Sequence, residues 1–405
     1  MVDFAERISR LGTETAFAVG AEAKQLTDKG FKVYPFHLGD LDMATPEYVV
    51  EAAIKAMRDG KTGYCATPGI APLREALARD IGEARDLSLD ADNISIQTGG
   101  KPVIGKFLMA LMNPGDEVLY PNPGYPIYES LVNFHGGVAR PYGFIEEENG
   151  FALDFASIER QISPRTRIFI YNNYHNPTSA ESDPAEMQRL ADLCIRHNLF
   201  VLSDEAYFDI LYDGKGNSIA SLPGMSERTV ILYTFSKKFA MTGWRLGAAA
   251  GLKDIISVIS KLNINDESCS NHFVQWAAVE AIKGPQEHHK KMMATLKERR
   301  DVAVDILNST PGIRVHRPNS TFYLFPNVSR AMKTLGLDSV EEFRKVILDK
   351  TGVSFTTRNH FGTPLPGETQ KYIRLAYSGI SKEDIVEGLG KMKELIESTS
   401  PCKAL

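Results

Sequence analysis

Cysteine is scarce in this sequence. Only Cys65, Cys194, Cys269 and Cys402 occur, scattered, with no CxxC or CxH pairing. Neither a disulfide framework nor a cysteine-built zinc site is indicated, and a reducing compartment is the expectation. Positive charge is not in excess: 46 Lys and Arg stand against 51 Asp and Glu, a formal net charge of −5. Without a long basic run, neither nucleic acid nor an anionic membrane is an expected partner. No apolar stretch approaches the ~20 residues of a spanning helix. The first residues, MVDFAERISR, place Asp3 and Glu6 ahead of any apolar run and so lack the pattern of a secretory signal. These absences together point to a cytoplasmic protein. Internal repeats and low-complexity segments are missing. No GxGxxG follows an early strand, which argues against a nicotinamide-dependent Rossmann enzyme. The nine histidines show no metal spacing; His175, His272 and His360 read as structural or loop residues. Trp244 and Trp276 read as core packing.

What is present is ordinary for a globular chain of two or three domains: 43% hydrophobic and 24% charged residues, enough to bury a large core. A helical pattern over Ala21–Lys29 turns at Gly30, and an extended piece, Phe31–Leu38, follows. Thr45 is placed to cap a helix that reaches about Arg58, with Pro46 in its first turn. Apolar runs of strand length then recur at Ile94–Thr98, Glu117–Tyr120, Ile168–Tyr171, Phe200–Ser203, Val230–Tyr233 and Leu246–Leu252, with helical stretches such as Pro102–Met112 and Pro184–His197 between them. Continuous apolar strands separated by amphipathic helices predict an α/β domain: a mostly parallel mixed sheet flanked by helices. The C-terminal third reads as a smaller α+β domain. It has a long charged helix over Glu287–Asn308, strands at Gly312–His316, Phe322–Pro326 and Tyr372–Tyr377, and helices over Ser339–Thr351 and Lys382–Ser398. The expected division is an N-terminal arm with part of the small domain (1–45), a large domain (46–285) and a small domain (286–405).

In open α/β sheets ligands sit beyond the carboxyl ends of the strands. Behind those ends stand Gly99-Gly100-Lys101, then Asn172 to Thr178 with Asn176, then Asp204 with Tyr207, then Thr234, Ser236, Lys237 and Lys238, with Arg245 shortly after. A Gly-Gly turn opening a helix suits a phosphate, as do Arg245 and the hydroxyls of Thr234 and Ser236. A protonated pyridine nitrogen needs a buried carboxylate, which Asp204 offers. A ring oxygen accepts hydrogen bonds that Tyr207 and Asn176 can donate. An aldehyde needs a lysine for a Schiff base. Pyridoxal 5′-phosphate has all four features.

The segment SKKFAMTGWRLG (Ser236–Gly247) resembles the active-site pattern of the class I/II aminotransferases of pyridoxal-phosphate fold type I, and the resemblance extends over essentially the whole chain. In that pattern the lysine after serine bears the cofactor and the arginine eight positions on holds its phosphate. This selects Lys237 with Arg245 and leaves Lys238 as a solvated surface lysine. Ser203–Tyr207 is similar to the family's SDEAY, Gly99–Lys101 to its GGKQ-type turn and Asn176–Ser179 to its NPTG element. The resemblance further implies that Tyr64 reaches across a homodimer to the phosphate and that Tyr125 stacks on the cofactor ring. It places Gly39 near the substrate carboxylate and pairs Arg374, in YIRLAYS, with the α-carboxylate of the amino acid. Tyr174, Ser179 and Thr357-Arg358 depart from the pattern; Arg358 adds a possible cation at the substrate entrance.

The implied reaction is transamination in two half-reactions with ping-pong kinetics, taking an L-amino acid and a 2-oxo acid. Lys101 matches a lysine that meets a distal carboxylate in one aspartate aminotransferase subgroup, with Thr13 and Thr15 matching supporting hydroxyls. An aspartate/glutamate-type enzyme is therefore expected. The alternatives are an alanine or aromatic aminotransferase, or a C–S β-lyase on the same fold. A regulator with an aminotransferase-like domain would need an attached DNA-binding module, and the stretch before Gly39 is too short and not basic.

Overall fold

The apolar runs assemble into one seven-stranded sheet in the computed structural model, which describes residues 2–399. In chain order the strands are β1 (Ile94–Gln97), β2 (Glu117–Pro121), β3 (Val138–Tyr142), β4 (Thr166–Tyr171), β5 (Phe200–Asp204), β6 (Thr229–Thr234) and β7 (Gly247–Gly251). Their order across the sheet is β1-β7-β6-β5-β4-β2-β3. Only β7 runs against its neighbours, with Gly247 opposite Gln97 on one side and Thr234 on the other.

Side chains alternate between two buried faces, which is why the strands read as continuous apolar runs. Val230 and Leu232 pack with Val103, Phe107 and Ile259 on one face. Ile231 and Tyr233 pack with Leu77, Ile81 and Ala277 on the other. Strand β7 is Gly-Ala-Ala-Ala-Gly. A Cβ at Gly247 would lie 2.8 Å from the Gly99 carbonyl carbon and from the Tyr233 oxygen, so this close approach admits only glycine.

A second core joins the two ends of the chain. Tyr34 and Phe36 pack with Met292 and Leu296 of the helix Glu287–Asn308, with Ile347 and Phe355, and with Leu389 of the helix Lys382–Thr399. The associated three-stranded sheet has the order Tyr323–Leu324, Ile373–Ala376, Thr356–Thr357.

Several local expectations fail, each for a physical reason. Strand β3 escaped notice because its sequence, VARPY, carries Arg140 and Pro141; proline is tolerated there because β3 is an edge strand. Gly312–His316 is not a strand, and only an isolated bridge joins Arg314 to Asn327. Of Phe31–Leu38, only Tyr34–Pro35 pairs, in parallel with Val353–Ser354. The first long helix starts earlier than expected, at Ala16. Thr45 does not cap the helix Glu47–Arg58; its hydroxyl donates instead to the Ala240 carbonyl at 2.7 Å, tying this entry loop to the turn after Lys237.

The sheet positions the site. Strands β1, β4, β5 and β6 end at one rim, and the antiparallel β7 begins there, so Arg245, two residues before it, reaches the same rim. No described helix is long and apolar enough to cross a membrane. Among the described residues no group of three His, Cys, Asp or Glu could hold a metal ion.

Candidate active site

At that rim lies a cavity of about 470 Å³, lined by Gly39, Gly100, Lys101, Tyr125, Asn176, Asp204, Tyr207, Thr234, Ser236, Lys237, Arg245 and Arg374, and by Thr15; Tyr64, Thr13, Gly99 and Arg358 are not in its wall. Tyr64 projects outward, 89% exposed, away from the cavity of its own chain.

Lys237 sits in the short helical turn Phe235–Lys238 directly after β6. Thr234 caps the turn, its hydroxyl accepting from the Ser236 N–H at 3.2 Å. The Lys237 ammonium donates to the Gly39 carbonyl at 3.0 Å and lies 5.4 Å from the centre of the Phe322 ring. Burial pushes its pKa down to about 8. Asp40 opposes that shift, while the nearby Arg374 and Arg245 add to it. Gly39 must be glycine: a Cβ there would lie 2.2 Å from the Tyr323 hydroxyl.

Asp204, at the end of β5, is buried. Its Oδ2 accepts from the Tyr128 hydroxyl at 2.6 Å and its Oδ1 from the Ala206 N–H at 3.2 Å. Burial raises its pKa and the Tyr128 hydrogen bond pulls it back. Such an acid is stabilised as the carboxylate by a cation placed against it. Asn172 orders the neighbourhood, donating to the Asp204 carbonyl at 2.9 Å and accepting from the Asn176 N–H at 3.1 Å. The Tyr207 and Tyr323 hydroxyls are 2.7 Å apart, and burial raises both phenols, so both remain potential donors.

Gly99, at φ +102°, makes the turn into the helix Lys101–Leu111. A Cβ on Gly99 would fall 2.5 Å from Arg245 Nη2, and one on Gly100 2.9 Å from Leu232 Cδ2. Bare backbone, the Arg245 guanidinium and the Thr234 and Ser236 hydroxyls thus form one cup. Across the cavity Arg374 is buried between the rings of Tyr323 and Phe361, at 4.6 and 5.0 Å. It donates to the His37 carbonyl at 2.6 Å and to Asn176 Oδ1 at 3.4 Å, and its buried Nε has no partner. A buried guanidinium at the wall of a cavity is able to pair with a carboxylate.

Two expectations are corrected. Lys238 is not a solvated surface lysine: its side chain is 13% exposed and pairs with Asp209 at 3.0 Å and Asp80 at 3.4 Å. Arg358 does not present a cation to the cavity. Its guanidinium is buried, donating to Glu368 (2.7 and 2.9 Å), to the Gly362 carbonyl (2.9 Å) and to Asn122 Oδ1 (2.7 Å). Glu368 draws it away from the substrate side.

Tyr128, Tyr323, Phe361 and Glu14 also line the cavity without a role expected from sequence, and Asn172, placed at the rim from sequence but given no role, both lines it and buttresses it from behind. Tyr128 carried a signal, lying three residues after Tyr125 on the same helical approach. Tyr323 and Phe361 come from the small sheet region and carried none.

A lysine, a glycine turn beside an arginine and two hydroxyls, a buried acid and a buried arginine thus share one cavity. The sequence matches the family model "Aminotransferase class I and II" over residues 32–392, and the chain belongs to that family of pyridoxal-phosphate-dependent enzymes. Among curated relatives, the "Probable aspartate/prephenate aminotransferase" of Aquifex aeolicus is 34% identical, covering 97% of this chain and 98% of its own length. The solved aspartate aminotransferase of Rhizobium meliloti superposes with a TM-score of 0.91 at 29% identity, covering 98% of this chain and 99% of that one. An alanine aminotransferase from Pyrococcus furiosus gives 0.89 at 28% identity, covering 98% and 100%. The chain is an aminotransferase of the α/β fold type I architecture.

Proposed function

We propose that this aminotransferase holds pyridoxal 5′-phosphate on Lys237 and exchanges the amino group of aspartate or glutamate with a 2-oxo acid. The observation that carries this reading is the convergence of Lys237, Asp204 and Arg374 on one cavity. The residues present fit the cofactor. Gly100, Arg245, Thr234 and Ser236 would hold its phosphate, Asp204 its ring nitrogen, Tyr207 and Asn176 its ring oxygen, Tyr125 a ring face and Lys237 its aldehyde carbon. Bound there, the cofactor supplies an electron sink for the α-carbon of the substrate.

The rest of the chemistry falls to the chain itself. Arg374 fixes the α-carboxylate through its guanidinium and so sets the orientation of the α-carbon. Lys237, once its amine is free, takes the α-proton and returns it on the other side of the exchange, as base and then acid. A pKa near 8 lets one amine do both near neutral pH. Asp204, buried and hydrogen-bonded by Tyr128, keeps the proton on the ring nitrogen. Lys101, at the mouth, meets the second carboxylate of a dicarboxylic substrate. In the same reading Tyr64 completes the phosphate cup of a partner subunit in a cytoplasmic homodimer. The chain divides functionally into an arm (1–45), a cofactor domain (46–285) and a substrate-closing domain (286–405).

Kinetics across aspartate, glutamate, alanine and phenylalanine, with 2-oxoglutarate or oxaloacetate as acceptor, tests this. Arg374→Ala should weaken all donors together. Lys101→Ala should selectively reduce kcat/KM for aspartate and glutamate by roughly ten- to hundredfold, the worth of a charge-assisted contact of ~1.5–3 kcal/mol. Equal loss for alanine and aspartate, at unchanged cofactor absorbance, rules out the dicarboxylate assignment. Release of pyruvate and ammonia without an acceptor would mark a β-lyase instead.

A further inference from the structure

The N-terminal arm brings into the substrate cavity a carboxylate that the roles above leave unused. Glu14, just before the helix Ala16–Asp28, lines the cavity, and its side chain is 17% exposed. Its Oε1 lies 3.2 Å from Lys101 Nζ. After burial, its charge is the main influence raising the Tyr125 phenol's pKa. Its charge reaches Lys237 and Arg374 as well. The arm is fastened where it enters. The Gly12 N–H donates to Ser130 Oγ at 3.0 Å, and that hydroxyl donates back to the Gly12 carbonyl at 3.2 Å. Glu14 thus meets the Lys101 ammonium at the cavity wall from a pinned segment.

The consequence concerns selectivity. The ammonium assigned to a second substrate carboxylate already has a carboxylate partner. A dicarboxylic substrate must take Lys101 from Glu14, or sit beside Glu14 against like charge. An uncharged substrate side chain meets a neutralised ion pair instead of a bare ammonium, whose desolvation would otherwise oppose binding. We propose that Glu14 is a specificity-determining residue: an internal counter-ion that fills the distal subsite for uncharged substrates and yields Lys101 to a substrate carboxylate. The cavity then serves both substrate classes, with less preference for dicarboxylates than Lys101 alone would give. This rests on the reading of Lys101 given above.

The test uses the holoenzyme and two unreactive probes of equal chain length, succinate and butyrate, with dissociation constants taken from calorimetry. Glu14→Gln should tighten succinate on the order of tenfold and leave butyrate little changed. The kcat/KM ratio of aspartate to alanine should rise in step. In a Lys101→Ala background the same substitution should have a much smaller effect, because only the direct repulsion between Glu14 and the probe's carboxylate is left to relieve. If Lys101→Ala weakens succinate but Glu14→Gln does not tighten it, or tightens both probes alike, the role of Glu14 is overturned while the dicarboxylate reading stands. If Lys101→Ala leaves succinate binding unchanged, the reading of Lys101 fails and the role of Glu14 fails with it.

Discussion

Lys237 owes its chemistry to where it lies. An ordinary lysine, with a pKa of about 10.4, is almost wholly protonated at neutral pH and a poor nucleophile. Here burial, reinforced by Arg374 and Arg245 and opposed by Asp40, brings the value to about 8. The neutral amine is the form that attacks an aldehyde, so the sign is plain: lowering the pKa raises the reactive fraction at every pH below it. The rate at which cofactor-free protein captures pyridoxal 5′-phosphate should therefore rise with pH and level off with a midpoint near 8. A rate still climbing at roughly pH 10, as for an exposed lysine, would contradict this account of the site. Asp204 illustrates the opposite case. Burial favours its neutral form in isolation, and only a cation against it makes the carboxylate the stable state. The acid and the lysine are thus matched to one occupant.

At the scale of elements, the strands of the central sheet were legible because burial on both faces leaves an unbroken apolar signature, as in Ile168–Tyr171 and Val230–Tyr233. The helix Glu287–Asn308 was legible from its charged face and length. The cofactor side of the site was legible because its residues follow strands in sequence: Asp204 ends β5 and Lys237 comes three residues after β6. On the substrate side the resemblance named Gly39, Lys101 and Arg374, but Tyr323, Phe361 and Glu14 were not legible, because they reach the cavity from segments far apart in the chain. Arg358 shows the same limit. Its charge looked available in sequence, but Glu368, ten residues on, and Asn122, from the turn after β2, consume it. Together with the Gly124 N–H donating to the Phe361 carbonyl at 2.9 Å, this clamp fixes the segment that carries His360 and Phe361 into the cavity wall. Arg358→Ala should lower stability by about 2–3 kcal/mol, since it strands Glu368 and the Asn122 carbonyl oxygen. Arg358→Lys should recover only part, because an ammonium cannot reproduce the two-pronged contact. Thermal unfolding of the holoenzyme measures both; an unchanged Tm with a raised KM would return Arg358 to the substrate.

For the whole molecule, the exposed residues are as informative as the buried ones. Tyr64 is 89% exposed, and Phe4, Phe17 and Leu11 of the arm are at least half exposed. Apolar and aromatic side chains gathered on one terminal arm are what the homodimer proposed above would cover. A twofold dimer in which each Tyr64 reaches the other cup would explain both features. Sedimentation should give a homodimer, and Tyr64→Phe should keep the dimer while weakening retention of the cofactor on dilution. A monomer that turns over at the dimer's rate would contradict the shared site.

The most direct test of the whole account is to treat the enzyme, saturated with pyridoxal 5′-phosphate, with borohydride and map the labelled peptides. The account predicts a single pyridoxyl group, on Lys237, and none in Lys237→Ala. A label on Lys238, on Lys101 or on no lysine would contradict it.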